Sequence, residues 1–575
     1  MAKLIIRGDA MYLDGIDQEK DHLIYIFLIF ILSSVVYEIY SKYNWLAILI
    51  ASCFFIMIYI YKRGRFLILI SLFFTISLLN NICYFNYKPS NTEIIRVVSL
   101  NGYGAVGKIE GREVYLEGDL KELKIGERLA VKGKFTKDIK ISKGNLGIYK
   151  IIDYKKIADD LISKVYKIRE NIFYKIRNKL GSRRAALITS ISFGYTNFLD
   201  EEDRNDMKTL GVTHVIAVSG LHMAIVYSVL MKVFGKSLTP FIAFIYVIFT
   251  GASLSTVRAY IMLLCMNLAV PLRRKYNPLA ALSLAGVILL IIEPQGVFKI
   301  GFQLSFLATL GIILFNKKIN KSLYKLPKYI RESLSICISA QIFTFPALLI
   351  YFQEFSLGFI IGNLLISPLI TIIVILGNLL AIVSFTTEIF NYICFIAYYI
   401  TDFLDYITES LINILPPITY LNENIALMYM SILISSYFYK KGFKRFIYMP
   451  LLFLVYISIL IYSPIPKIKY YKEGAILLSY KGDRMLLTLK KDIDLKKIKN
   501  ISLANKVYKE GKFIKIGDNT YLKSKGKDFQ LNNNGKVYLL ALSKQKSNSD
   551  YDIINFRRGD FDEIMIFSDK VLILD

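Results

Sequence analysis

Two of the three histidines in the chain, His214 and His222, fall in one apolar run, GVTHVIAVSGLHMAIV at residues 211–226. Imidazoles in such a setting invite a metal site, but eight residues of continuous helix rise about 12 Å, whereas a ligating ring lies about 2 Å from its ion. A break at Gly220 would shorten that distance, yet no Cys, Asp or Glu nearby completes a ligand set. Ser219 and His222 are three residues apart and share a helix face, as a nucleophile and its base would. The Gly-x-Ser-x-Gly elbow is missing, because Ala217 and Leu221 stand where its glycines belong. What remains is a polar, broken stretch inside an apolar run. Polar groups at membrane depth are costly and mark pathways, and irregular backbone is tolerated there only when buried in protein or lining a water-filled cavity. His214, Ser219, Gly220 and His222 are therefore read as the gate or lining of a path.

Arg258 is the second chemical signal, since it lies in an apolar segment where an ionised side chain costs at least about 2.5–3.5 kcal/mol unless paired or hydrated. A guanidinium facing a lumen would make bidentate contacts to phosphate. The alternative is a structural pair with a carboxylate such as Glu293, or with an interhelical carbonyl. Gln303, Gln341 and Asn363 offer neutral hydrogen bonds, to a moving polymer or merely between helices. Neutral donors suit a channel because binding must be weak enough to release.

The elements that must position these groups follow from composition. Hydrophobic residues make up 54% of 575 and mean hydropathy is +0.45, so the chain is a polytopic α-helical membrane protein. Its net charge of +27 concentrates at about 88–184 and 464–575, which suits an anionic partner or reflects a generally basic composition. All five cysteines sit in or beside apolar blocks, excluding a disulfide framework or thiolate zinc site in the polar regions. No Gly-x-x-x-x-Gly-Lys-[Ser/Thr] loop occurs, so no motor is visible and no cofactor is implied.

In chain order, residues 1–87 hold three spans, the first a retained segment without the features of a signal peptide. The basic loop at 62–65 belongs in the cytoplasm, which puts the N-terminus inside and the next polar region outside. Residues 88–155 show short alternating strands with glycine turns at 104–111, 113–118 and 126–135, as in an OB-like β-barrel. Such barrels track single strands through a basic, aromatic groove; the candidates are Lys108, Arg112, Arg128, Lys132, Lys134, Tyr103, Tyr115 and Phe135. A module that only braces the membrane part is the alternative. Residues 156–183 read as an amphipathic helix on an anionic surface, with Ile157, Leu161, Val165, Ile168, Ile172, Ile176 and Leu180 as its apolar stripe. A packed helix of an ordinary domain is the alternative. Residues 184–463 carry the remaining spans, at about 212–233, 238–250, 257–272, 279–292, 302–315, 334–351, 359–383, 389–415, 425–439 and 446–462, which makes about thirteen in all and leaves a small α/β or β region, 464–575, outside.

The ordered motifs HVIAVSGLH at 214–222, TGASLSTVRA at 250–259, GFQLSFLA at 301–308, Ser339-Ala340-Gln341 and NLLISP at 363–368 resemble those of the ComEC family of competence proteins. The resemblance adds Ser305 to the path residues. It implies a channel, not an enzyme, that carries one strand of transforming DNA across the cytoplasmic membrane. It further implies a DNA receptor protein outside and a motor ATPase or helicase inside, while membrane lipids surround the spans. Many family members end in a metallo-β-lactamase-like domain, and residues 469–478 and 483–487 resemble its opening strands. No histidine follows His222, so a His/Asp zinc site cannot be assembled there and any nuclease would be a separate protein. A pore within one subunit and one in a homo-oligomer stay open. So do two other readings: a transporter of another anionic polymer or lipid, and an intramembrane hydrolase.

Overall fold

The computed structural model describes residues 22–574 apart from 62–63, 102–103, 119, 121–122, 489–493, 510–512, 517–519, 526–527, 543–551, 557–560 and 568–569. Tyr103 lies outside the described residues. The chain forms two compact units, one of residues 1–344 and 356–417, the other of 345–355 and 418–575.

The first unit begins with α1 (His22–Tyr40), α2 (Asn44–Tyr61) and α3 (Gly64–Phe85), apolar on every face as bilayer helices are. Next comes a closed barrel of β1 (Thr92–Asn101), β2 (Gly104–Ile109), β3 (Arg112–Glu117), β4 (Arg128–Lys140) and β5 (Asn145–Lys156). Its order is β1-β2-β3-β5-β4, with β3 and β5 parallel and the other neighbours antiparallel, and β4 pairing back to β1. Alternation fills it: Ile95, Val97, Ile109, Val114, Leu116, Leu129, Val131 and Tyr149 point inward and are buried. The barrel expected at 88–155 is present. Its first and last strands, which carry weaker turn signals, complete it.

Eight helices follow in this unit before its last two: α4 (Leu161–Leu180), α5 (Ser182–Phe193), α6 (Glu201–Thr209), α7 (Gly220–Phe249), α8 (Leu254–Ala269), α9 (Pro278–Ile292), α10 (Ile300–Ser322) and α11 (Lys328–Phe352), the last running on into the second unit. α12 (Phe359–Ile382) and α13 (Thr387–Ile414) close the unit. α5, from Ala185 to Phe193, is wholly buried and forms the centre of the largest core with α12 and α13. α4 departs from a helix laid on a surface along its whole length: Leu161 and Ile168 are exposed, but Ile172, Phe173 and Ile176 enter that core.

Seven described helices are long and apolar enough to cross a bilayer, α7 among them only when the stretches on either side of Gly235 are counted as one, and three apolar ones, Asn44–Ile60, Leu254–Ala269 and Pro278–Ile292, are shorter. The segments expected as spans at 389–415 and 425–439 are not among them. α13 is amphipathic, burying Phe390, Cys394, Ala397, Thr401, Leu404, Thr408 and Leu411. From it Asp402 meets Arg184 at 2.7 Å and Asp405 meets Arg183 at 3.3 Å. Those acids raise the cost of crossing lipid.

In the second unit, β6 (Glu354–Phe355) and β7 (Thr419–Tyr420) pair antiparallel, followed by α14 (Glu423–Lys440) and α15 (Met449–Ile461). Then β8 (Lys467–Tyr471), β9 (Ala475–Tyr480), β10 (Asp483–Thr488), the helix α16 (Leu495–Ser502) and β11 (Lys506–Lys509) lead into β12 (Ile514–Lys515), β13 (Thr520–Lys525), β14 (Asp528–Asn533), β15 (Lys536–Ala541), β16 (Asp552–Asn555), β17 (Glu563–Ile566) and β18 (Val571–Leu574). They make a six-stranded sheet, β11-β10-β9-β8-β17-β18, and a five-stranded one, β12-β13-β14-β15-β16. One core serves both, since Ile468, Ile476 and Ile564 of the first pack with Leu522, Phe529 and Leu540 of the second.

Candidate functional site

The polar run at 211–226 is not a continuous helix. A 3-10 turn at Thr213–Val215 leads to an extended Ser219, which caps α7: its hydroxyl accepts from the Leu221 amide at 3.3 Å, and its own amide donates to His222 Nδ1 at 3.0 Å. Ser219 Oγ and His222 Nδ1 are 2.8 Å apart. This is a reciprocal capping box with histidine in place of the usual Glu or Gln. His214 is exposed and His222 fully buried.

α7 itself reverses. At Gly235, φ 70° and ψ 179° break the helix, and the residue's left-handed φ is one that glycine adopts without a Cβ penalty. A straight helix of this length would hold its ends about 45 Å apart. Instead Val218 Cγ2 and Thr250 O lie 3.3 and 3.6 Å from one point, the Cβ position of Gly194. Residues 220–234 and 236–249 thus form two antiparallel half-helices. α8 runs back along the second half, with Tyr260 Oη donating to Pro240 O at 3.2 Å and Asn267 Nδ2 to Lys236 O at 2.9 Å. α8 is therefore parallel to the first half of α7. Their N-termini converge, joined where Ser255 Oγ donates to Val218 O at 3.0 Å. Ser219 and Ser253 cap the first turns, and the dipoles of the two helices point at the same place and favour an anion.

Arg258 stands at this convergence, 7% exposed. Its Nη2 is 2.9 Å from the Cβ position of Gly220, so only a residue without a side chain leaves the guanidinium room. It donates to Thr309 Oγ1 on α10 and approaches Met262 Sδ at 3.7 Å. No carboxylate among the described residues pairs with it, and its Nε is buried without a partner. The pair with Glu293 considered above does not form, because that carboxylate is held by Lys108 and Lys299.

A second buried arginine, expected on the polar faces of the amphipathic helix with its lysines, flanks the same loops instead. Arg169 of α4 is 3% exposed, donates to Phe193 O at 3.5 Å and lies over the Tyr166 ring at 4.3 Å. Its Nη1 is 3.5 Å from the Cβ position of Gly251, in the turn between α7 and α8. It too lacks a carboxylate among the described residues, and its Nε is an orphan, as are His222 Nε2 and Tyr227 Oη. Its position carried a signal: four after Val165, three before Ile172 and four before Phe173 place it on the buried stripe of α4.

The other predicted path residues are engaged locally. Gln303 Nε2 donates to Val297 O at 2.8 Å and Asn363 Nδ2 to Phe359 O at 2.6 Å; Gln341 Oε1 accepts from Thr344 at 3.3 Å. Ser305 O accepts from Thr309 Oγ1 at 2.9 Å, which orients the hydroxyl that meets Arg258. The Asn363 helix abuts the loop, since Gly362 packs on Leu210 O and Phe359 on Gly211.

On the barrel, two of the predicted DNA contacts serve as fasteners. Lys108 Nζ meets Glu293 at 2.9 Å, and Lys299 Nζ bridges Glu293 and Glu113, both at 2.9 Å. Burial pushes the Glu293 carboxyl up, but the two lysines outweigh it and hold it below its ordinary range; Lys299 is raised, its partners outweighing burial. Arg112 Nε donates to Tyr84 O at 3.2 Å, with its guanidinium over the Tyr87 ring at 4.4 Å. Arg96 pairs with Asp160, the cap of α4. Burial pushes that carboxyl up, but the Ser163 amide and hydroxyl together with Arg96 hold it at about 2. Tyr115 and Arg128 are half-buried, and Phe135 packs against the barrel core. Lys132 and Lys134 are exposed, and Lys134 faces Lys150 directly across β4 and β5. Like charges directly opposite destabilise a sheet unless an anion relieves them.

Seven apolar helices and a closed barrel define a multi-pass membrane protein carrying a β-barrel domain. Residues 191–443 match the family described as competence protein. It is 27% identical over 224 residues to ComE operon protein 3 of Bacillus subtilis (strain 168), covering 37% of this chain and 28% of that one. It is 29% identical over 158 residues to an uncharacterized protein of Aquifex aeolicus (strain VF5), covering 26% of this chain and 38% of that one. The matches thus span well under half the length of either relative. No solved structure matches the chain at a significant level.

Proposed function

We propose that the protein is a channel that passes single-stranded DNA through the cytoplasmic membrane during competence. The observation that supports this best is Arg258: a buried guanidinium without a carboxylate partner among the described residues, set against Gly220 where the α7 and α8 N-termini converge. Keeping an unpaired cation there is costly in a fold that needs it only for packing. A phosphodiester arriving at the site would receive a guanidinium and the dipoles of two helices. With the neutral Thr309 hydroxyl beside it, the contact stays weak enough to hand the next phosphate on.

In this reading the N-terminus is inside, and the barrel and C-terminal region are outside. The site binds and releases but does not cleave: the Ser219–His222 contact is a helix cap, and no carboxylate among the described residues orients the ring. A motor inside, a DNA receptor outside and a separate nuclease complete the process as partners. A transporter of another anionic polymer or lipid would use the same arginine, so DNA itself must be tested. In a transformable host, replacing Arg258 with Gln should abolish internalisation of labelled DNA while the protein stays at normal abundance. Normal internalisation by that variant, or by a deletion strain, would refute the proposal.

A further inference from the structure

We propose that a slot between α1, α2, α3 and the barrel holds one anionic phospholipid, with an acyl chain between the helices and its phosphate between Lys42 and Lys143. The slot has a volume of ≈ 940 Å³, at the upper end of the roughly 300–1,000 Å³ range of small-ligand sites. Small side chains open it: Ala47 and Ala51 lie one turn apart on the same face of α2, opposite Phe74, Leu78 and Ile82 of α3. These walls are apolar and belong to bilayer-type helices, so an aqueous ligand has no reason to enter that far.

Only the mouth is charged. It is formed by the loop between α1 and α2 and by the barrel turn Ile141–Lys143. Lys42, Lys140 and Lys143 line it against a single acid, Glu38. Lys140 is partly neutralised by Asp138 at 3.3 Å. Lys42 and Lys143 are exposed and carry no ion pair among the described residues. An apolar slot with a cationic mouth at one end complements a molecule with a hydrocarbon tail and an anionic head. A phosphate held by one lysine from the helices and one from the barrel would tie the two together at that edge.

The test is lipid retention by the full-length protein, purified from bilayers of mixed phosphatidylglycerol and phosphatidylcholine and read by native mass spectrometry. The expected result is several-fold preferential retention of phosphatidylglycerol. Replacing Lys42 and Lys143 together with Gln, both exposed and outside any core, should bring retention of the two lipids to parity. Ala51→Trp, which fills the slot, should remove the bound lipid. Equal retention by the natural protein, an unchanged preference in the double variant, or displacement by inorganic phosphate alone would each overturn the proposal. Should Ala51→Trp fail to fold, the lysine pair decides the matter.

Discussion

Arg258 and Gly220 are in contact across two helices, with Nη2 of the arginine 2.9 Å from the place where a Cβ would sit on the glycine. The intruded atom is the far end of a flexible side chain, and Gly220 is the first residue of α7. Gly220→Ala should therefore push the guanidinium aside without unfolding the protein. Unchanged thermal stability with strongly reduced DNA internalisation is the expected pair of results. Loss of both would make the glycine a packing residue only.

Arg258→Met separates function from packing. It removes a buried charge that has no carboxylate partner, and exchanging buried ionic groups for apolar ones of similar volume is often neutral or stabilising, by about 1–4 kcal/mol. We expect an equal or higher melting temperature in detergent together with lost DNA uptake. A clear fall in stability would show that the hydrogen bond to Thr309 is what the arginine is for.

Ser219 offers a contrast between capping and catalysis. Ser219→Ala should cost about 1 kcal/mol of stability, the usual effect of losing an N-cap, and Ser219→Asn should restore it. DNA uptake should follow the same order. If Asn restores stability but turnover of some substrate stays abolished, the hydroxyl acts as a nucleophile.

The clasp of Lys108, Glu293, Lys299 and Glu113 gives the barrel's attachment a pH dependence. Since Glu293 is held below its ordinary range, its contribution is present above the unfolded value of about 4.3 and is lost as pH falls through its lower folded value. Lys299 is raised, so its share is present below the unfolded value of about 10.4 and lost as pH rises through the folded one. Limited proteolysis around residues 88–156 should thus accelerate at both extremes. Glu293→Gln should shrink the acid limb, leaving the share of the Arg96–Asp160 pair, and cost about 2 kcal/mol at neutral pH, as the loss of hydrogen bonds to charged groups does.

Lys132, Lys134 and Lys150 form the exposed basic strip of the barrel, in contrast to the engaged Lys108 and Arg112. Replacing the three with Gln in the full chain should lower the salt dependence of single-strand binding by a slope of about 2, from roughly 0.7 per phosphate contact. Lys108→Gln should leave that slope unchanged. An unchanged slope in the triple variant would confine the barrel to bracing.

The glycine-punctuated alternation at 104–135 announced the barrel because turns and pleats are local properties. Arg258 was legible as a costly side chain in an apolar run, yet its partner was not: Glu293 and Thr309 are both distant in sequence, and only packing chose the hydroxyl. Arg169 hid among the lysines and arginines of α4, although its register on the buried stripe set it apart. The Ser219–His222 pair looked chemical from spacing alone, and backbone geometry turned it into a cap. α13 read as a span because its apolar half is strong, while the pairing of Asp402 and Asp405 with α5 depends on a helix more than two hundred residues away.

The reversal at Gly235 also bears on parity. A 30-residue apolar stretch counted as one crossing would carry everything after it to the opposite side of the membrane, but a hairpin returns the chain to the side it came from. The sidedness of every downstream loop, including the basic cluster Arg273, Arg274 and Lys275, thus hinges on one glycine. Reporter fusions placed on either side of that residue would register the difference as a change of sign.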